Sequence, residues 1–232
     1  MKFRHIRYCL LWLSVIVCSH ILAQETLNPV ADPAAVVRSG NARFTVLTSR
    51  MIRIEYSSSA QFEDRATFAI VNRRLPVPSY TTEEADGYLY IRTADVTLRY
   101  KVGSVISAAD KKPDNLMVTF PMGAFTCTWY PGKDDALNLL GTNRTLDTAW
   151  GDNARNKLEK GLISRAGWSI IDESPSAIRG DGSTTLPMAP NTEGYMWWQK
   201  AADANAVDWY FLGYGHQYKE CIRDFIDRKS VV

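Results

Sequence analysis

The sequence predicts an all-β protein, an antiparallel β-sandwich followed by one C-terminal helix. Three observations carry this. Short runs that alternate apolar and polar residues recur through most of the chain. Turn-forming residues punctuate these runs, as in Lys111-Lys112-Pro113-Asp114-Asn115 and Pro131-Gly132. A helical period is clear in one place only, from Gln217 onward. Many short strands, frequent turns and a single terminal helix fit a sandwich better than any α/β arrangement.

Taken in order, residues 1–23 read as a signal peptide. Lys2, Arg4 and Arg7 form a basic start, residues 8–22 an apolar stretch, and Ala23 a small residue at the cleavage position. The apolar stretch is short of the about 20 residues a membrane span needs. The chain is therefore expected to be exported, to the periplasm or outside the cell. Residues 24–216 form the sandwich and residues 217–232 the terminal helix.

Residues 28–35 carry Pro29 and Pro33. Residues 42–47 and 51–56 alternate as two strands around Thr48-Ser49-Arg50, a hairpin. Residues 67–71 read as a short strand, and Pro76 and Pro78 then break the chain. Residues 88–92 and 96–101 form a second hairpin, and residues 116–120 and 125–130 a third, around Pro121-Met122-Gly123. Residues 137–174 are the least strand-like stretch, a polar excursion that returns through a strand at 168–171. It gathers Arg144, Asp147, Trp150, Asp152, Arg165, Trp168, Asp172 and Glu173. A β scaffold commonly carries function on such a loop. A surface insertion packed by its own tryptophans reads equally well. Asp172 and Glu173 could serve acid–base chemistry, but the sequence Asp172-Glu173-Ser174-Pro175 reads as a turn after a strand. Residues 195–199 and 208–212 are the last strands. On the helix, Tyr218, Cys221, Ile222, Phe225 and Ile226 share one face.

Composition narrows the function. The net charge of +2 is too small for a nucleic-acid surface. The chain has neither a CxxC nor a cluster of histidines, so no metal is expected, and no cofactor. Cys127 and Cys221 read as buried free thiols. His216 is the one histidine beyond the signal peptide, and no GxSxG accompanies it. With 7 Trp and 11 Tyr the chain suits sheets, and it suits sugar surfaces, where flat rings stack on apolar sugar faces.

Three blocks carry a resemblance. NLLGTNRTLD at 138–147, the stretch at 161–174 within LEKGLISRAGWSIIDES, and DWYFLGYGHQYKECIRDF at 208–225 resemble the N-terminal domain of glycoside hydrolase family 31, which includes α-glucosidases and α-xylosidases. FEDRATFAIVNR at 62–73 is similar too. The resemblance implies a galactose mutarotase-like sandwich ahead of a (β/α)₈ barrel. That barrel would hold both catalytic carboxylates, on a W-x-D-M-N-E type motif that residues 1–232 do not contain. Catalytic residues in this chain are therefore none, and the chain reads as a truncated front end, inactive alone. The resemblance also implies that residues 161–168 reach over the barrel mouth to the sugar subsite. There Arg165 and Trp168 are the substrate-binding candidates, toward an α-linked oligosaccharide. Family members commonly place Asp where this chain has Ala166, so the acidic contact to sugar hydroxyls is missing. Two other readings stand beside this one. The first is a free-standing carbohydrate-binding module with Tyr195, Trp197 and Trp198 as its platform. The second is an epimerase that would use His216. The oligomeric state is not legible.

Overall fold

A computed structural model describes residues 28–67, 69–141, 158–174, 177–179, 198–200 and 206–229. Two antiparallel five-stranded sheets face each other. The first has the strand order β1 (Val36–Ser39), β2 (Ala42–Val46), β3 (Met51–Tyr56), β12 (Val207–Leu212), β9 (Ser169–Asp172). The second is a meander in sequence order: β4 (Tyr80–Ala85), β5 (Tyr88–Thr93), β6 (Thr97–Lys101), β7 (Leu116–Met122), β8 (Phe125–Trp129). A separate ribbon pairs β10 (Ala177–Arg179) with β11 (Trp198–Lys200). The helix α1 spans Tyr218–Ile226.

Alternation along each strand builds the core. Phe44 on β2, Ile52 and Ile54 on β3, and Trp209 and Phe211 on β12 point between the sheets. They meet Leu98 on β6, Val118 and Phe120 on β7, and Trp129 on β8. Phe120 and Phe211 lie 5.7 Å apart and tilted, a geometry aromatic pairs prefer.

The other face of the first sheet is also covered. Met51, Tyr210 and Leu212 pack there with Ile70, Cys221 and Phe225, beneath residues 62–74 and α1. Between them lies an ionic layer. The β-sheet register sets Arg43, Glu55 and Asp208 side by side on neighbouring strands, with Arg53 one row on. Arg43 donates to both oxygens of Glu55, at 2.6 and 2.8 Å. Arg53, whose side chain is 1 % exposed, donates to both oxygens of Asp208, at 2.8 and 2.6 Å. Burial alone would raise Asp208, but the Arg53 charge and hydrogen bonds outweigh it and hold the carboxyl below its ordinary value. Burial pushes Glu55 up against the pull of Arg53 and Arg43, and the charge of Asp208 across the strand pair adds to the rise.

Four expectations change. Among the described residues, 67 and 69–71 belong to neither sheet; Val71 and Asn72 instead donate backbone N–H groups to the carbonyl of Arg228, tying the cover to the end of α1. The strands β1 and β4 were not legible. Ile222 and Ile226 are exposed, because the short helix buries only the stripe of Cys221 and Phe225. Cys221 is a buried free thiol, its pKa pushed up to about 12 by burial, but Cys127 is half-buried because β8 is an edge strand. The signal-peptide stretch lies outside the described residues.

Candidate functional site

The candidate site forms where the chain leaves β8 and returns into β9. Residues 134–141 and 158–165 run antiparallel, bridged at Asn138–Ser164 and Gly141–Glu159. Leu139 N donates to Ile163 O at 2.9 Å and Arg165 N to Leu137 O at 3.0 Å. Buried Asp135 holds the two arms together. It accepts from Ser164 Oγ at 2.7 Å and from Asn138 Nδ2 at 2.9 Å. Asn138 Oδ1 in turn accepts from the backbone N of Leu140 and of Gly161, at 2.9 and 2.8 Å. A carboxylate and an amide with several fixed partners each set the arm positions tightly.

The second arm ends in a β-turn over residues 164–167, closed by Gly167 N to Ser164 O at 3.1 Å. Ser164 Oγ accepts from Ala166 N at 3.0 Å. Gly167 has φ +79°, which glycine adopts freely. Space also requires glycine: a Cβ there would lie 2.7 Å from the Met122 sulfur and 3.1 Å from Gly215 Cα. Gly215 N donates to Gly167 O at 2.9 Å, locking this turn to the one between β12 and α1. Cys221 Sγ contacts Leu162 O at 3.6 Å from the helix side.

Beside the turn three tryptophans meet. Trp129 lies 6.3 Å from Trp168 and 6.3 Å, edge-on, from Trp209. Together with Lys133, Asp135, Lys160 and Asp172 they line an open cavity of about 170 Å³. Lys160 pairs with exposed Asp134 at 2.5 Å, and that hydrogen bond holds the Asp134 carboxyl below its ordinary value. Aromatic walls with charged groups at the rim suit a ligand that is apolar on one side and hydroxylated on the other. The volume is below the roughly 300 Å³ of a complete small-molecule site, so the cavity takes part of a ligand.

The two residues expected to form one wall are separated. Trp168 is 6 % exposed, lines the cavity and belongs to the core. Arg165 sits exposed at the corner of the turn and does not line the cavity. Ala166 is half-buried against the same core as Trp168, so the chain passes from surface to core between Arg165 and Ala166, and Arg165 and Trp168 part. Asp172 does close its strand in a turn, accepting from Ser174 N at 3.0 Å. Glu173 is instead buried, and its Oε2 accepts from Ala69 N at 3.2 Å. His216 stands exposed, its ring 5.8 Å from that of Tyr218. Arg144, Asp147, Trp150, Asp152, Tyr195 and Trp197 lie outside the described residues. Among the described residues no group of three or more His, Cys, Asp or Glu is placed to hold a metal ion. Sequence reasoning missed Asp135, Lys160, Trp129 and Trp209 as site residues. The alternation of Trp129 and Trp209 with inward-facing neighbours was the available signal.

No protein-family model matches the chain, and no curated protein matches it. Among solved structures it is similar to the GH31 dextranase of Flavobacterium johnsoniae complexed with glucose, at 14% identity and a TM-score of 0.44. A mutant of that dextranase complexed with isomaltotriose gives the same 14% identity and TM-score of 0.44. In both, the match covers 89% of this chain and 29% of the dextranase, so the chain spans under a third of that enzyme's length.

Proposed function

We propose that this chain is the non-catalytic N-terminal sandwich of an exported glycoside hydrolase family 31 α-glycosidase, an α-glucosidase or α-xylosidase. It supports a catalytic barrel and lends the loop at 161–168, with its turn at 164–167, to the barrel's sugar subsite. The reading rests on the sequence blocks that resemble that family, and one geometric observation carries it furthest. The described parts of the three blocks come together at one corner, the third more than thirty residues on from the second. Asn138 of the first pairs with Ser164 of the second, and Gly167 of the second bonds to Gly215 of the third. Residues that resemble a family only at scattered positions have no reason to converge; residues that build one turn do.

The surface beside this corner supports a partner. Leu137, Leu139, Leu140 and Leu158 are about half exposed, at 47–57%. Large exposed apolar side chains gathered on two paired arms favour an interaction surface. In this reading the leucines pack against the barrel, and exposed Arg165 faces an α-linked oligosaccharide held there. Retaining hydrolysis needs two carboxylates about 5–5.5 Å apart, which the barrel supplies.

The isolated chain should therefore hydrolyse neither aryl α-glucosides nor aryl α-xylosides. Turnover that survives purification and disappears in Asp172→Asn or Asp152→Asn would overturn the reading. For export, mass spectrometry of the secreted or periplasmic form should find an N-terminus at about Gln24; an intact Met1 in the membrane fraction would mean an anchor. A free-standing carbohydrate-binding module is the second reading, favoured by the tryptophan-lined cavity.

A further inference from the structure

We infer that the outer face of the first sheet holds a binding site for a small organic monocarboxylate, in the cavity between β1, β2 and residues 30–33. This is independent of the glycosidase reading. The cavity holds about 460 Å³, within the roughly 300–1,000 Å³ range of small-molecule sites. Residues 30–36 give it an apolar wall, and Arg38, Arg43, Thr45, Arg53 and Asp64 give it a polar one.

The charges on that wall do not cancel evenly. Arg38 and Arg43 are direct cross-strand partners, an arrangement that costs stability unless the charges are neutralised. Arg43 is neutralised by Glu55 and by Asp64, at 2.6 and 2.7 Å. Arg38 is not. It is exposed, lies 5.4 Å from the Phe62 ring, and forms no ion pair among the described residues. Its positive field stands over the cavity.

The floor offers donors. Arg53 Nε and Nη2 are engaged by Asp208 and by Glu63 O, while Nη1 donates no hydrogen bond among the described residues. Thr45 lies directly opposite Arg53 in the register. It is 1% exposed, and its hydroxyl also has no hydrogen bond among the described residues. Both groups open onto the cavity, where a ligand acceptor can replace water as their partner. A carboxylate accepts only, matches a guanidinium edge, and supplies the charge that Arg38 lacks. Its carbon body meets the apolar wall. Asp64 sets the limit on charge: with Glu55 and Asp208 beneath, a doubly charged phosphate meets more repulsion than a monoanion, while a ligand hydroxyl can donate to Asp64.

The test titrates the purified chain with D-glucuronate and, as the neutral counterpart, D-glucose, following backbone amide resonances of β1 and β2. Glucuronate should shift resonances near Thr45 and Arg53 saturably, and glucose should not. Arg38→Gln should weaken glucuronate about tenfold, equivalent to about 1.4 kcal/mol. Thr45→Val, which keeps the side-chain shape, should weaken it as well, with the fold checked by an unchanged spectrum elsewhere. Inorganic phosphate should not displace glucuronate. Absence of saturable shifts, equal response to glucose, indifference to Arg38→Gln, or displacement by phosphate would each overturn the assignment.

Discussion

On the outer face of the first sheet, Arg43, Glu55, Arg53 and Asp208 are buried and direct most of their hydrogen bonds at one another. At the turn of residues 164–167, Arg165 stands exposed, and its side chain makes no hydrogen bond among the described residues. Both regions are polar and both adjoin β12 and its neighbours. They differ in where the polar groups find partners. The ionic layer fixes residues 62–74 onto the sheet: Arg43 and Arg53 both donate to Glu63 O, and Arg73 Nε donates to Tyr210 Oη at 2.7 Å. The turn has a rigid backbone and an unengaged side chain. Charges that satisfy one another inside the fold are structural and leave only single donors such as Arg53 Nη1 for a ligand, whereas a charge held out on a rigid turn is wholly available to a ligand or partner.

The sharpest way to break this contrast is Asp208→Ala. It leaves Arg53 charged and buried without its principal partner, and losing one half of a buried pair costs about 3–5 kcal/mol. A urea midpoint that barely moves would show that the layer is wetter than its geometry implies. Gly167→Ala should cost less, about 1–3 kcal/mol, through strain at positive φ and the close approach of Gly215. Its tryptophan fluorescence should also change, because Trp168 is the next residue.

Acid offers a smaller and reversible probe of the same layer. The folded pKa of Asp208 lies below its unfolded value, about 3.9 for a free aspartate. Its stabilisation is therefore fully present above that value and is lost as pH falls through the folded pKa. Glu63 acts with the same sign: burial raises it, but its hydrogen bonds from Arg65 bring it below the ordinary value. Glu55 has the opposite sign, since its folded pKa is raised; its cost as a buried ion is relieved on acidification. The wild-type urea midpoint should fall as pH drops below about 4, and Asp208→Asn should remove part of that dependence. Arg165→Ala lies at the small end. An exposed side chain with no partner should change stability by no more than about 0.5 kcal/mol.

Much of the fold was legible. The alternation in β3 named its boundaries, and β12 and the start of α1 were found within a residue because their apolar residues are periodic, but the helix ends at Ile226 and does not run to residue 232. The strands β1 and β4 were missed because neither alternates: β4 is an edge strand with exposed Glu83 and Glu84, and β1 is four residues long with Val36 and Val37 adjacent. The ionic layer was invisible for a different reason. Arg43, Arg53, Glu55 and Asp208 alternate as solvent-facing residues would, and only the cover of residues 62–74 buries them. At the site, the resemblance singled out Arg165, Ala166 and Trp168 but could not show that Arg165 stands at the surface while Ala166 and Trp168 pack against the core.

The turn is proposed to be one wall of a sugar subsite whose other walls lie elsewhere. Titration calorimetry of the purified chain with maltose and isoprimeverose tests this most directly. A few hydrogen bonds netting about 0.5–1.5 kcal/mol each cannot offset an association cost of roughly 4–15 kcal/mol. The expected result is no saturable binding tighter than about 1 mM, for wild type and Arg165→Ala alike. Micromolar binding that Arg165→Ala abolishes would contradict the account, because the chain would then hold a complete sugar site of its own.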